Sequence, residues 1–385
     1  MMADTLLNRR RDEFPTLASG IHLLSHSLGP MPRTARASMI AYTEAWEHHT
    51  SEDAWATSWW DLSKLLGDRI ARLLGGAPGA VQIQPNTSIA LSTVVSCFEF
   101  ANAKRNKIVT SALDFPSMEY IWDAQRRLGA EVEIVASDDG IIVPTERLLA
   151  AIDETTCLVA ISHVSFRSSF RVDVEAIVER AHRLGALVLL DVYQSAGTVV
   201  LDAGGWGVDF MIGGTIKWLC GGPACGYLYV RPDLQMELRP RLTGWVAHAE
   251  PFAFAPAPMR YDESVRRFAQ GTPSIPALYS ALPGLQIVAD VGIETIALES
   301  RRRTQWMIEF ALEQGWTVNS PLDVNQRGGS VMIGVRDGAA MVNSLAERKV
   351  FVDSRPAAGL RISPHFFNND DEVQEALSVL QNLIR

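Results

Sequence analysis

The sequence predicts an α/β protein built on a mostly parallel sheet, and three observations carry that expectation. Short β-branched apolar runs recur from residue 81 onward, and stretches of helical periodicity separate them. The third is composition: 385 residues, 47% apolar and 21% charged, are enough for about two domains with packed cores.

In order, residues 81–84 read as a strand followed by a helix from about Thr87, and residues 107–111 as a strand followed by a helix from about Pro116. Residues 158–164 form a buried apolar run, and 173–184 carry helical spacing closed by Gly185. Strands follow at 186–191, 209–213 and 226–230. Strands alternating with helices imply parallel pairing through crossover connections. After about residue 280 the pattern changes to one long helix over 286–310, strand-like pieces at 330–335 and 360–363, and a terminal helix. The expected division is a large domain over 46–280 and a smaller α+β domain made from 1–45 and 281–385. Only a Pro/Ala-rich loop at 251–258 interrupts the pattern.

Lys and Arg total 35 against 44 Asp and Glu, a net charge of −9, which argues against a broad basic surface for nucleic acid. No apolar run approaches the ~18 residues of a membrane span. Arg9-Arg10-Arg11 is followed by Asp12-Glu13, where a secretory signal needs an apolar stretch. Cys97, Cys157, Cys220 and Cys225 form neither a disulfide framework nor a C-x-x-C pair. These features predict a cytoplasmic protein with no membrane partner. The histidines show no metal-ligand spacing, so no metal is expected, and neither a P-loop nor G-x-G-x-x-G occurs.

In a parallel sheet, ligands collect at the carboxyl ends of the strands. Three such ends carry informative residues. At Gln84-Pro-Asn-Thr-Ser88 a strand stops and a helix opens with Asn86, Thr87 and Ser88, an arrangement suited to a phosphate. Asp191 ends the run Ala-Leu-Val-Leu-Leu. Lys217 lies in Gly-Gly-Thr-Ile-Lys-Trp-Leu-Cys-Gly-Gly, where glycines permit close approach of backbone to ligand. Singly these read as a helix cap, a turn-forming aspartate and a solvated lysine. Together they suit pyridoxal 5'-phosphate, whose aldehyde needs a lysine, whose ring nitrogen needs a carboxylate and whose phosphate needs an anion site.

Nearly the whole chain, from about His22 onward, then resembles the fold-type I enzymes of the class V aminotransferase group, in particular the kynureninase branch. The stretches are Ser25-His-Ser-Leu-Gly29-Pro-Met-Pro, Asn86-Thr-Ser, Asp114-Phe-Pro-Ser117, Asp191-Val-Tyr-Gln-Ser-Ala, Gly207-Val-Asp-Phe, Thr215-Ile-Lys217, Leu242-Thr-Gly-Trp245-Val-Ala-His, Phe268-Ala-Gln-Gly-Thr272-Pro and Leu360-Arg361-Ile-Ser-Pro. The resemblance implies that Lys217 forms the Schiff base, Asp191 pairs with the pyridine nitrogen and Phe115 stacks on the ring. It places Asn86, Thr87 and Thr215 around the phosphate, and Gln194 where relatives carry a cofactor-facing histidine. Trp245 and Thr272 match residues that hold the partner subunit's cofactor, which implies a homodimer with shared sites. Arg361 matches the arginine that grips the α-carboxylate of an amino-acid substrate, a task suited to a forked guanidinium. His26 and Arg167 complete the candidate substrate contacts.

Four positions depart from the kynureninase pattern. Arg167 replaces a tyrosine, Ile216 another, Met118 an acid and Gln194 the histidine. All four leave the cofactor's electronics alone, but proton delivery during Cβ–Cγ hydrolysis needs a placed acid. Hydrolysis or elimination at Cβ, transamination and epimerisation therefore stay open, as does a regulator that binds the cofactor without turnover. A cysteine desulfurase needs a nucleophilic cysteine on a late loop, and the last cysteine is Cys225. The Trp46, Trp55, Trp59 and Trp60 cluster reads as core or subunit interface more readily than as a substrate pocket.

Overall fold

The computed structural model describes residues 10–384, so Arg9 of the arginine run lies outside the described residues. A short strand, β1 (Ile21–His22), precedes seven strands of a central sheet: β2 (Val81–Gln84), β3 (Lys107–Ser111), β4 (Glu131–Val135), β5 (Thr156–Ser162), β6 (Leu187–Asp191), β7 (Phe210–Gly214) and β8 (Gly226–Val230). Their spatial order is β2-β8-β7-β6-β5-β3-β4. Every pairing is parallel except those of β8 with β2 and β7.

The two-residue period of a strand sorts its side chains between two cores. Val159, Ile161, Val188, Leu190 and Met211 enter one apolar cluster, with Leu66 and Ile70 of the helix Trp60–Leu73 and Leu285 of the helix Ile275–Val291. Leu158, Ala160, Leu189, Phe210 and Ile212 enter the other, with Leu91 and Val94 of the helix Thr87–Val95 and Trp122 of the helix Pro116–Arg126. Burial on both faces explains why these strands read as unbroken apolar runs.

Three features differ from the sequence expectation. The edge strand β4 was not expected, because its exposed Glu131 and Glu133 dilute the apolar signal. The chain leaves β5 after Ser162 rather than Val164, and Val164 instead bridges Arg171. The single long helix over 286–310 is two helices, Ile275–Val291 and Ile293–Glu313, meeting at 80°. Gly292 makes that corner with φ 87°, a conformation other residues rarely adopt.

Beyond the large sheet, β9 (Val331–Ile333), β10 (Val350–Phe351), β11 (Asp353–Arg355) and β12 (Gly359–Ile362) complete the strands. β11, β12 and β9 form an antiparallel sheet in that order, while β10 pairs with β1. A third apolar cluster joins Ile21 and Leu23 to Ile333, Leu360 and Val373, so the N-terminal segment packs with the C-terminal elements. In the β11–β12 pairing Asp353 stands directly opposite Arg361. Among the described residues no single helix is long and apolar enough to cross a membrane.

Candidate active site

Lys217 sits three residues beyond the end of β7, in a turn bound on two sides. The Gly29 amide donates to Ile216 O at 2.8 Å, and a Cβ on Gly29 would fall 2.1 Å from Lys217 O, so the N-terminal loop packs here only through glycine. On the other side the Gly221 amide donates to Thr215 O at 2.8 Å, and the buried Thr215 hydroxyl lies 3.2 Å from Gly222 O and 3.3 Å from Cys225 O. Thr215 is thus committed to its own loop. The Lys217 ammonium lies 4.2 Å from the centre of the Tyr193 ring and 5.8 Å from that of Phe115. No carboxylate pairs with it among the described residues. Burial lowers its pKa to about 8, opposed by the charge of Asp191 and reinforced by that of Arg361.

Asp191 ends β6, beside Ser162 of β5. Its Oδ1 accepts the Tyr193 amide at 2.8 Å, and no other hydrogen bond reaches the carboxylate among the described residues. Burial pushes its pKa up to about 6, although the Tyr193 amide and Lys217 pull the other way.

Both residues face one cavity of about 300 Å³. Asn86 and Thr87 form one end. Asn86 caps the helix by accepting the Ile89 amide at 2.9 Å, while the Thr87 hydroxyl donates to Gly213 O at 3.2 Å. Gly226 allows the close approach, since a Cβ there would meet the Asn86 carbonyl carbon at 2.6 Å. Among the described residues the Thr87 and Ser88 amides have no backbone acceptor, and they belong to the turn lining the cavity. Phe115 forms a wall, 44% exposed, edge-on to Phe166 at 5.1 Å. Its backbone is fixed by buried Asp114, which accepts the Thr110 hydroxyl at 2.8 Å and the Ser111 and Ser162 amides at 2.8 and 2.6 Å.

Arg361 and His26 lie beside this cavity rather than in its lining. Arg361 Nε and Nη2 grip Asp353 at 2.7 and 2.5 Å, and Nη1 donates to Phe166 O at 3.1 Å. His26 Nε2 is 2.8 Å from Asp353 and its Nδ1 is 2.5 Å from the Ser363 hydroxyl. Burial brings the His26 pKa down to about 4, so the ring is neutral near pH 7. Asp353 is held below the usual carboxylate range by His26 and Arg361 against the opposing effect of burial. An ionised Asp353 requires His26 to donate from Nε2, which leaves Nδ1 to accept from Ser363. Gln194 serves the same loop: it donates to His26 O at 3.0 Å and accepts the Trp218 indole at 3.1 Å. Arg167 donates to Pro356 O at 3.2 Å, on the turn joining β11 to β12.

Trp245 and Thr272 are not brought to Lys217 within one chain. Trp245 packs with Trp60, Phe252 and Phe254, and Thr272 borders a separate cavity of about 280 Å³. None of Trp46, Trp55, Trp59 and Trp60 lines the Lys217 cavity; Trp59 enters the core.

Sequence reasoning missed Tyr193, Phe166 and Asp353. Tyr193 lies inside the run that nominated Asp191, and a period-2 reading beyond the strand would have flagged it. Asp353 gives no local signal, because its partner stands eight residues away across a hairpin.

The family model for aminotransferase class-V matches residues 67–375. Kynureninase of Pseudomonas fluorescens is 30% identical, over 97% of this chain and 91% of that protein. The uncharacterized aminotransferase YcbU of Bacillus subtilis (strain 168) is 29% identical, over 95% of each. Among solved structures, the apo cysteine desulfurase from Thermococcus onnurineus NA1 aligns with a TM-score of 0.86 at 21% identity, over 98% of this chain and 97% of that one, a likeness of fold.

Proposed function

Since the chain belongs to the aminotransferase class-V family and is a pyridoxal 5'-phosphate-dependent enzyme, we propose that it acts on an α-amino acid, with kynureninase-like chemistry at Cβ. The observation that carries this reading is a half-buried lysine, without a carboxylate partner among the described residues, facing the same cavity as a buried aspartate with one uncommitted oxygen. Those two, the open helix N-terminus at Thr87 and Ser88 and the exposed Phe115 ring form the donor set that the cofactor requires. When bound, pyridoxal phosphate supplies an aldehyde for the lysine and a ring that withdraws electrons from the substrate's Cα.

This chain's residues do the rest. Asn86 and Thr87 place the phosphate, Phe115 covers the ring face and Asp191 holds the proton on the ring nitrogen. Lys217, its pKa lowered toward neutrality, takes the Cα proton as a free amine. Thr215 and Gln194 brace the loops that carry Lys217 and His26. Arg361, aimed by Asp353, receives the α-carboxylate. Transamination or epimerisation is the second reading, favoured by Arg167, a permanent cation where hydrolysis calls for a proton-exchanging hydroxyl.

A homodimer is part of the proposal. Trp245 and Thr272 lie away from Lys217 in their own chain, and Phe254 beside Trp245 is 75% exposed. The four cysteines are free, in keeping with a cytoplasmic setting.

The test is reconstitution with the cofactor, borohydride reduction and peptide mass analysis, followed by product analysis over an amino-acid panel that includes L-kynurenine. A pyridoxyl mass on the Lys217 peptide is expected, with Lys217→Ala losing both the adduct and ~10³-fold or more of turnover. Labelling of another lysine overturns the assignment. For L-kynurenine, kcat/KM is expected well below the ~10⁴ M⁻¹s⁻¹ of ordinary enzyme–substrate pairs; efficient release of anthranilate makes the hydrolytic reading correct.

A further inference from the structure

Arg361 offers five N–H groups, as every guanidinium does. Three are committed, two to Asp353 and one to Phe166 O. One N–H remains on each terminal nitrogen, the complement of a single carboxylate. The α-carboxylate of an amino acid consumes it.

Two further arginines meet at the same hairpin turn. Arg355 lies 3.1 Å from Asp353 and donates to Ser354 O at 2.8 Å. The Arg167 guanidinium donates to the Pro356 carbonyl, and no carboxylate pairs with it among the described residues. Arg167 follows Phe166, whose ring packs against Phe115 at the cavity wall. Arg361 and Arg355 therefore share the carboxylate of Asp353, Arg167 adds a third guanidinium with no carboxylate of its own among the described residues, and neutral His26 adds no charge. Asp191 and Asp114 make no ion pair with these arginines: Asp114 is taken up by Thr110, Ser111 and Ser162, and Asp191 is reserved for the ring nitrogen. One α-carboxylate still leaves an excess cation beside the cavity. Arg167 is half-buried, and such a cation attracts a counterion more strongly than the exposed Arg355 because less water screens it.

We propose that the substrate carries a second acidic group, on its side chain, and that Arg167 with Arg355 receives it. This rests on the reading of Lys217 and Arg361 above and adds the class of substrate: a dicarboxylic or otherwise acidic α-amino acid. The departure from tyrosine at Arg167 then has a positive role. The change that removes a proton-exchanging hydroxyl installs a fork for an anion.

The experiment uses the cofactor-loaded protein and follows its visible absorbance during titration with L-aspartate, L-glutamate and L-2-aminoadipate, each against its side-chain amide. At least one acid is expected to bind on the order of 10- to 100-fold tighter than its amide, the range of a charge-assisted hydrogen-bonded pair. Arg167→Gln should bring that acid's affinity down toward the amide's, with Arg355→Gln having a smaller effect. If no acid is preferred over its amide, the proposal is wrong. If Arg167→Gln weakens acid and amide alike, Arg167 is structural and the proposal also falls. Failure of the underlying reading looks different: no amino acid perturbs the spectrum and no pyridoxyl adduct appears on Lys217.

Discussion

Asp191, buried, and Asp353, partly buried, are two carboxylates of one active-site region, and the chain treats them in opposite ways. Asp353 receives Arg361 through two N–H groups, His26 through one and Arg355 at 3.1 Å, and its proton affinity falls. Asp191 receives a single backbone amide, and its proton affinity rises to about pH 6. Desolvation opposes the charged form in both; the difference is what the protein supplies against it. Where the protein meets every valence, geometry is being fixed. Where it leaves an oxygen of Asp191 and the amine of Lys217 without a protein partner among the described residues, both face the cavity and the cost of their desolvation stays in the fold.

The largest expected effect comes from breaking the satisfied side. Arg361 is 2% exposed, so Asp353→Ala leaves a buried guanidinium without its counter-ion. A loss of about 3–5 kcal/mol of unfolding free energy is expected in urea, with Asp353→Asn losing less because an amide oxygen still accepts. A neutral result for Asp353→Ala would show that Arg361 finds water and that the knot fixes nothing.

Removing the charge on the other carboxylate should act in the opposite direction. In the cofactor-free protein Asp191 holds its proton up to about pH 6, whereas the unfolded chain releases it near the ordinary 3.8. Between those values the folded state binds more protons, so its stability falls as pH rises through the window, and the penalty is complete above it. Asp191→Asn cannot ionise. It should be more stable than the parent at pH 8, by at most about 3 kcal/mol, with the advantage vanishing below about pH 4. Urea unfolding at the two pH values measures this. A variant less stable at pH 8 would mean that the carboxylate has a protein partner the structure lacks.

The same contrast explains what was legible in the sequence. Strands β5, β6 and β7 and the residues at their ends announced themselves, because burial on both faces writes a continuous apolar run that stops at the cavity. That run-end marked Asp191 and Lys217, the helix cap after β2 marked Asn86, and the resemblance added Phe115 and Arg361; all but Arg361 line one cavity. Asp353 was not, because a pair made across the β11–β12 hairpin depends on register and leaves no periodic trace. Edge strand β4 failed for want of apolar residues, and the corner at Gly292 because helical periodicity survives a bend. Gln194 shows a further limit: its match to a cofactor-facing position did not reveal that its amide is bonded to His26 and Trp218.

The smallest effect tests whether the Asp353 side is over-determined. Ser363 lies 2.5 Å from His26 Nδ1, and the tautomer forced by Asp353 makes its hydroxyl the donor. Ser363→Ala removes that hydroxyl, which also reaches Leu23 O at 3.0 Å and accepts the His26 amide at 3.3 Å, but leaves the His26–Asp353 bond, the two Arg361–Asp353 bonds and the Gln194 tether in place. A buried neutral hydrogen bond contributes about 1 kcal/mol, and since one hydroxyl proton serves two acceptors while the oxygen also accepts the His26 amide, a cost of about 1–2 kcal/mol is expected in the same urea assay. Because Arg361 keeps its orientation, amino-acid affinity in the cofactor-loaded protein should change less than about threefold. A loss approaching that of Asp353→Ala would mean that the histidine, through its serine, carries the cluster. Asp353 would then be one member of a cooperative chain rather than the group that organises it.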